Sequence, residues 1–161
     1  APQYPEGLEM KIWLSGLSGN VDQINELNHY IGMKFIHTNN FPEFKFLPYV
    51  FGLIILIGLV SAIIKSRKLL WILFISLCLF AIIVFTDFYI WEYNYGHNLN
   101  PRAALKIEGM SYQPPLFGYK QLLNFTAGSL PDTGGLLVGL GGLLAGAALF
   151  YKPRLSQSKS K

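Results

Sequence analysis

The chain has 161 residues, 52% of them hydrophobic and 14% charged, with a formal net charge of +4. The hydrophobic residues are bunched into long runs, which excludes an ordinary soluble domain, because a chain this short cannot bury three apolar helices on all sides. The basic excess does not form a nucleic-acid footprint either, since Lys65, Arg67 and Lys68, and Lys152, Arg154, Lys159 and Lys161, form two clusters beside apolar runs.

Residues 1–45 read as a polar N-terminal segment that opens at Ala1 and carries Pro2 and Pro5. A start at a small residue fits removal of a signal peptide, or a recombinant start. Leu8, Met10, Ile12 and Leu14 alternate with Glu9, Lys11 and Trp13, which predicts a short strand that Gly16 and Gly19 end. Ser18 or Asn20 is placed to cap a helix from about Val21, with Asp22 in its first turn. Val21, Ile24, Leu27 and Ile31 recur at helical spacing, so this helix is expected to be amphipathic. Asn39 to Pro42 then reads as a turn.

Three uncharged stretches follow: Phe46–Ile64, Leu69–Thr86 and Thr133–Tyr151, each of 18 to 19 residues. That length crosses a hydrocarbon core of roughly 30 Å. The expected fold is a membrane all-α protein with three transmembrane helices, 46–64, 69–91 and 133–151, joined by a turn at 65–68 and a long ordered loop at 92–132. The tail is 152–161. The seven clustered cations lie in that turn and that tail, while all nine acids lie in 1–45 and 87–132. The positive-inside rule then predicts a bacterial inner-membrane protein with a periplasmic N-terminus and a cytoplasmic C-terminus. Phe44, Phe46 and Tyr49, and Phe88, Tyr89, Trp91, Tyr93 and Tyr95, are expected to form aromatic belts at the outer surface. In the loop, a strand near Leu105-Lys106-Ile107 is expected to pair with Leu8–Leu14, and a short helix is expected through Tyr119–Phe125. Gly135, Gly139, Gly142 and Gly146 fall on one face of the third span, where a neighbouring backbone can approach closely. That neighbour belongs to this chain or to another subunit. Cys78 is the single cysteine and lies within the second span, so no intrachain disulfide forms.

Candidate chemistry is sparse. His29, Met33 and His37 stand at i, i+4 and i+8, and a helix persisting that far would place two imidazoles and a thioether on one face, a set that suits copper. His97 and Met110 are further candidate ligands, and Met10 lies on the same side. Against this, Gly32 and Thr38-Asn39-Asn40 are positioned to end the helix, and lone histidines near membrane surfaces commonly just bond to backbone or solvent. Asp87 and Glu92 sit at the outer end of the second span, where an ionisable group is a candidate for a proton or ion path, or for pairing with Arg102 or Lys106. Hydrolase, Walker and dinucleotide motifs and a CxxCH haem site are absent, which makes a non-enzymatic role the expectation.

The runs LNHYIGM (Leu27–Met33) and GMSYQPPLFGYKQLLNF (Gly109–Phe125) resemble a small membrane protein encoded in atypical, Bacteroidota-type nitrous-oxide reductase gene clusters. The resemblance implies a periplasm-facing accessory protein for that copper enzyme. Docking the enzyme at the membrane, helping supply copper and placing the enzyme near its electron donor are the jobs it suggests. The competing expectations are a copper-binding membrane protein and a structural subunit of a larger respiratory or monooxygenase complex.

Overall fold

The computed structural model describes residues 4–105, 109–123 and 125–151. Its main elements are β1 (Met10–Trp13), β2 (Gly16–Gly19), α1 (Val21–Tyr30), α2 (Leu47–Ile64), α3 (Arg67–His97), β3 (Gly118–Leu122), β4 (Phe125–Ser129) and α4 (Thr133–Phe150). The helices α2, α3 and α4 are each long and apolar enough to cross a membrane. At 1.5 Å per residue, the 31 residues of α3 extend about 46 Å, well beyond the roughly 30 Å of a bilayer core. Helix α3 therefore continues to His97, past the boundary at residue 91 expected for the second span.

The chain divides into two compact units. The first comprises Ala1–Leu53 and Ala81–Leu130 and contains both hairpins, α1 and the last turns of α3. Strand β1 pairs antiparallel with β2, with Met10 opposite Gly19 and Trp13 opposite Gly16. This corrects one expectation: Gly16 and Gly19 bound a second strand, which pairs with β1, instead of ending the sheet. Of the expected partner, Lys106 and Ile107 lie outside the described residues. Gly19 (φ +93) permits the pairing because a Cβ there would overlap the Glu9 carbonyl.

Helix α1 begins at Val21 as its periodicity predicts, but neither proposed cap acts as one. Asn20 occupies the N-cap position without a side-chain cap bond. Its Oδ1 accepts from Glu9 N at 3.1 Å, and Ser18 Oγ accepts from Trp13 Nε1 at 2.7 Å, so both side chains serve the hairpin. The most buried positions on α1 are polar. Asn25 is 4% exposed, and its amide donates to Ile36 O at 2.8 Å while accepting from Ile36 N at 2.7 Å. One side chain thus satisfies both backbone groups of a buried residue, as a strand partner would.

The expected helix through Tyr119–Phe125 is instead a β-hairpin. Leu122 pairs with Phe125 and Gly118 with Ser129, and Leu123 takes φ +52 at the reversal. Pairing with β4 is a longer-range interaction than a five-residue window registers, and it overrides local helix preference.

The second unit comprises Ile54–Phe80 and Pro131–Lys161. Ile54, Gly58 and Ser61 form one face of α2. Ile54 and Ser61 are buried, and Gly58 faces the Leu73 methyls, 3.6 Å from where its Cβ would stand. On α4, Ala145, Gly146 and Leu149 are buried, and a Cβ at Gly146 would stand 3.0 Å from the Phe74 ring. Arg67 Nη2 donates to Leu149 O at 2.7 Å, covering a carbonyl that the end of α4 leaves unpaired. Asp132 caps the other end, accepting from Thr133 N at 2.7 Å. Lys152, Arg154, Lys159 and Lys161 of the expected cytoplasmic tail lie outside the described residues.

Candidate functional site

The last turns of α3 organise the first unit. Glu92, Tyr95 and Gly96 are its buried residues there. Gly96 is required by contact: a Cβ would overlap the Gln113 backbone, so only glycine lets the 112–113 segment lie directly on the helix. Tyr112 N donates to Gly96 O at 2.9 Å, and the Tyr112 side chain is 2% exposed. One turn earlier, Ser129 Oγ of β4 donates to Glu92 Oε1 over a long 3.4 Å. Lys120 of β3 donates to Gln113 O at 3.0 Å and is the cation acting on Glu92.

Glu92 is consequently the most enclosed ionisable group among the described residues, 1% exposed. Its Oε2 has no partner within the described chain, and neither does Trp91 Nε1 or the Tyr112 hydroxyl. Buried polar atoms are normally satisfied, so three beside one helix end mark a place where polar chemistry is concentrated. Asp87 and Glu92 part company here: Asp87 is exposed, and five residues along a helix turn two side chains well apart. Of the two expected partners for Glu92, Arg102 is exposed, with its amide bonded to Asn100 Oδ1 at 2.9 Å, and Lys106 lies outside the described residues.

The aromatic belts also divide. Phe46, Tyr49, Tyr89 and Tyr93 are exposed, whereas Phe44 and Tyr95 are buried. The Trp91 ring lies 5.4 Å from Phe41 and 4.6 Å from Tyr95, and Phe41 lies 5.2 Å from Phe44. The Tyr95 hydroxyl donates to Phe35 O at 3.0 Å and accepts from Asn40 Nδ2 at 3.2 Å. This tethers the 35–40 segment to α3.

The candidate copper ligands do not share a helix face. Helix α1 ends at Tyr30, Gly32 adopts φ +81, and His37 is extended. The reversal at Gly32 is fixed by packing, since a Cβ there would meet Ala103 Cβ at 2.8 Å, and Asn100 N donates to Gly32 O at 2.7 Å. The reversal nevertheless brings His29 and His37 to one ring: Phe35 stacks with His29 at 5.7 Å and with His37 at 6.1 Å. Met33 is half-buried in the intervening turn. His97 lies at the end of α3, stacked on Tyr93 at 4.0 Å, with Nδ1 2.9 Å from Tyr93 O. Met110 is half-buried in the loop. Among the described residues, no three or more His, Cys, Asp or Glu side chains are grouped so as to hold a metal ion.

The four glycines expected to share one face of α4 are not equivalent. Gly146 meets Phe74, and Gly135 meets its own neighbour Pro131, 3.0 Å from the added Cβ. Gly139 and Gly142 have nothing within 4 Å of that position.

Sequence reasoning missed the burial of Glu92 and Asn25. The spacing Glu92-Gly96, one helical turn with a glycine at its end, was the available signal for a covered face. No family model matches the chain, and no curated protein or solved structure matches it.

Proposed function

We propose that this chain is a non-enzymatic accessory subunit of a bacterial inner membrane. In this reading α2, α3 and α4 anchor it, and the first unit faces the periplasm and docks a copper enzyme, nitrous-oxide reductase. The observation that carries the reading is the apolar surface on the two hairpins, outside the three membrane-length helices. Phe117 and Tyr119 are 66% and 71% exposed, and Ile12 and Trp13 are 50% and 57% exposed. Large side chains left uncovered in this way mark surfaces that another molecule covers. Aromatic residues are also the side chains that most often dominate protein interfaces. The enzyme's identity is supported by the resemblance of Leu27–Met33 and Gly109–Phe125.

The test is gentle detergent extraction followed by identification of what remains bound. Nitrous-oxide reductase should co-purify, and a Phe117→Ser, Tyr119→Ser variant should retain at least tenfold less, since an interfacial aromatic commonly contributes about 2 kcal/mol. Undiminished retention by that variant overturns the docking surface. Protease added to intact spheroplasts should cut near His29 and spare the last ten residues, and the opposite pattern overturns the orientation.

A second reading, copper binding for metal supply, is favoured by one contact set: His29 and His37 stack against the same phenyl ring, with Met33 between them in sequence. It predicts about one equivalent of Cu(I) bound by the purified protein, since two imidazoles and a thioether suit one ion. A His29→Ala, Met33→Ala double variant should lose it. Unchanged metal content in that variant removes this reading.

A further inference from the structure

Within the second unit, an open groove of about 570 Å³ runs between α2, α3 and α4. Its two ends differ in chemistry. Along most of its length the lining is Gly58, Leu73, Gly141, Leu144 and Ala148, all apolar or without a side chain. At one end it is Ser61, Lys65, Ser66 and Arg67, two hydroxyls and two cations, and among the described residues no carboxylate lines it. Arg67 is already committed through Nη2 to the Leu149 carbonyl, which leaves Lys65 as the uncommitted cation among the described lining residues. The same end is where α3 begins, with Ser66 Oγ accepting from Leu69 N at 3.4 Å, and where α2 and α4 end, so its positive potential comes from the side-chain cations and not from the helix termini.

Lys65 also occupies a costly backbone conformation. It follows Ile64, the last residue of α2, at φ +53, the left-handed position in which helices ordinarily end on glycine. A β-carbon is disfavoured there, yet the position carries a long cationic side chain that lines the groove.

We infer that this groove holds one anionic phospholipid, its phosphate at Lys65 and the adjacent serine hydroxyls and its acyl chain along the glycine- and leucine-lined floor. The groove matches that amphipathic shape: an apolar channel open to the side, closed at one end by positive charge. A protein helix would have to place its own charged or polar terminus against the cations, whereas a lipid brings the phosphate and the chain already joined. Basic clefts between spanning helices recognise anionic headgroups by this charge and geometry. The inference rests on α2, α3 and α4 spanning a bilayer and on nothing about the docked enzyme.

The experiment uses the full chain in nanodiscs of phosphatidylcholine doped with phosphatidylglycerol, released in the gas phase to count and identify retained lipid. One phosphatidylglycerol should be retained in preference to phosphatidylcholine. Lys65→Gly removes the cation and relieves the backbone, so it should fold at least as well as the native chain. It should lower that preference about fivefold, the effect of one lysine near an anionic surface. Gly141→Leu fills the floor, where an added Cβ meets nothing within 4 Å, and should leave no retained lipid of either kind. Equal retention of the two lipids by the native chain, or an unchanged preference in Lys65→Gly, overturns the proposal. So does a thermal shift produced by inorganic phosphate alone that matches the shift from phosphatidylglycerol. A chain extracted from membranes by alkaline carbonate would instead defeat the spanning reading itself, a result separable from loss of lipid preference in a chain that stays embedded.

Discussion

Replacing Gly96 by alanine tests the packing of the first unit at its tightest point. In an unobstructed helix the change is favourable, by up to about 1 kcal/mol, because alanine has the better helix propensity. At Gly96 the new Cβ would overlap the Gln113 Cα and N and stand 2.7 Å from its Cβ. Two of these are backbone atoms, so no side-chain rotation clears them and the 112–113 segment must lift. Lifting it breaks the Tyr112 N to Gly96 O bond, worth about 1 kcal/mol. It also uncovers a tyrosine that is 2% exposed, at a cost of about 2 kcal/mol. With the propensity gain set against these losses, the variant should be about 2 kcal/mol less stable. Gly52→Ala is the matched control, a helical glycine with nothing within 4 Å of its added Cβ, and should be neutral or stabilising. Thermal unfolding in detergent followed by intrinsic fluorescence reads the difference, and hydrogen exchange at the Tyr112 amide localises it. If Gly96→Ala proves as stable as Gly52→Ala with Tyr112 still protected, the close seat of the 112–113 segment on α3 is refuted.

Four further outcomes are expected. Asn25→Ala strands both backbone groups of Ile36 and should cost about 2–4 kcal/mol, with lost exchange protection at the Ile36 amide, because each stranded buried group costs about 1–2 kcal/mol. Gly146→Leu should destabilise the second unit by about 1–3 kcal/mol through overpacking against Phe74. Gly139→Leu should leave the chain's own unfolding unchanged, and an assembly that dissolves only in that variant would assign the open part of the face to another subunit. Glu92→Gln keeps the shape and the Ser129 contact while removing a charge held by one long hydrogen bond, so the melting temperature should hold or rise. A loss of about 3 kcal/mol or more would instead reveal a true ion pair with Lys120.

How much of this was legible depended on the range of the forces involved. The three long helices were readable because each is specified by its own composition, with no partner needed to make an apolar run helical in lipid. The start of α1 was readable from Val21, Ile24 and Leu27 for a similar local reason. The hairpin at 118–129 was not, because Tyr119 to Leu122 is made a strand by pairing with Phe125 to Gly128, and a short window does not contain that pairing. The helical copper face failed at a single residue, Gly32, whose positive φ is demanded by Asn100 and Ala103 about seventy positions away. Glu92 reads from the sequence as an interfacial charge because it follows an apolar run among tyrosines. Its enclosure comes from chain elements such as Ser129, well downstream. The orphaned oxygen of Glu92 is thus a product of tertiary structure alone.

The Asn25 amide places a donor and an acceptor side by side against the acceptor and donor of one peptide unit, much as one nucleobase reads another. Size alone does not qualify a substitute for that position. Aspartate matches the volume but turns an oxygen where the donor should be toward the Ile36 carbonyl, leucine matches the branching and offers neither donor nor acceptor, and glutamine carries the right group one methylene too far. A buried residue is therefore constrained by the identity of its atoms, and chemical deamidation at this one position would convert a fastener into a repulsion without altering the outline of the fold.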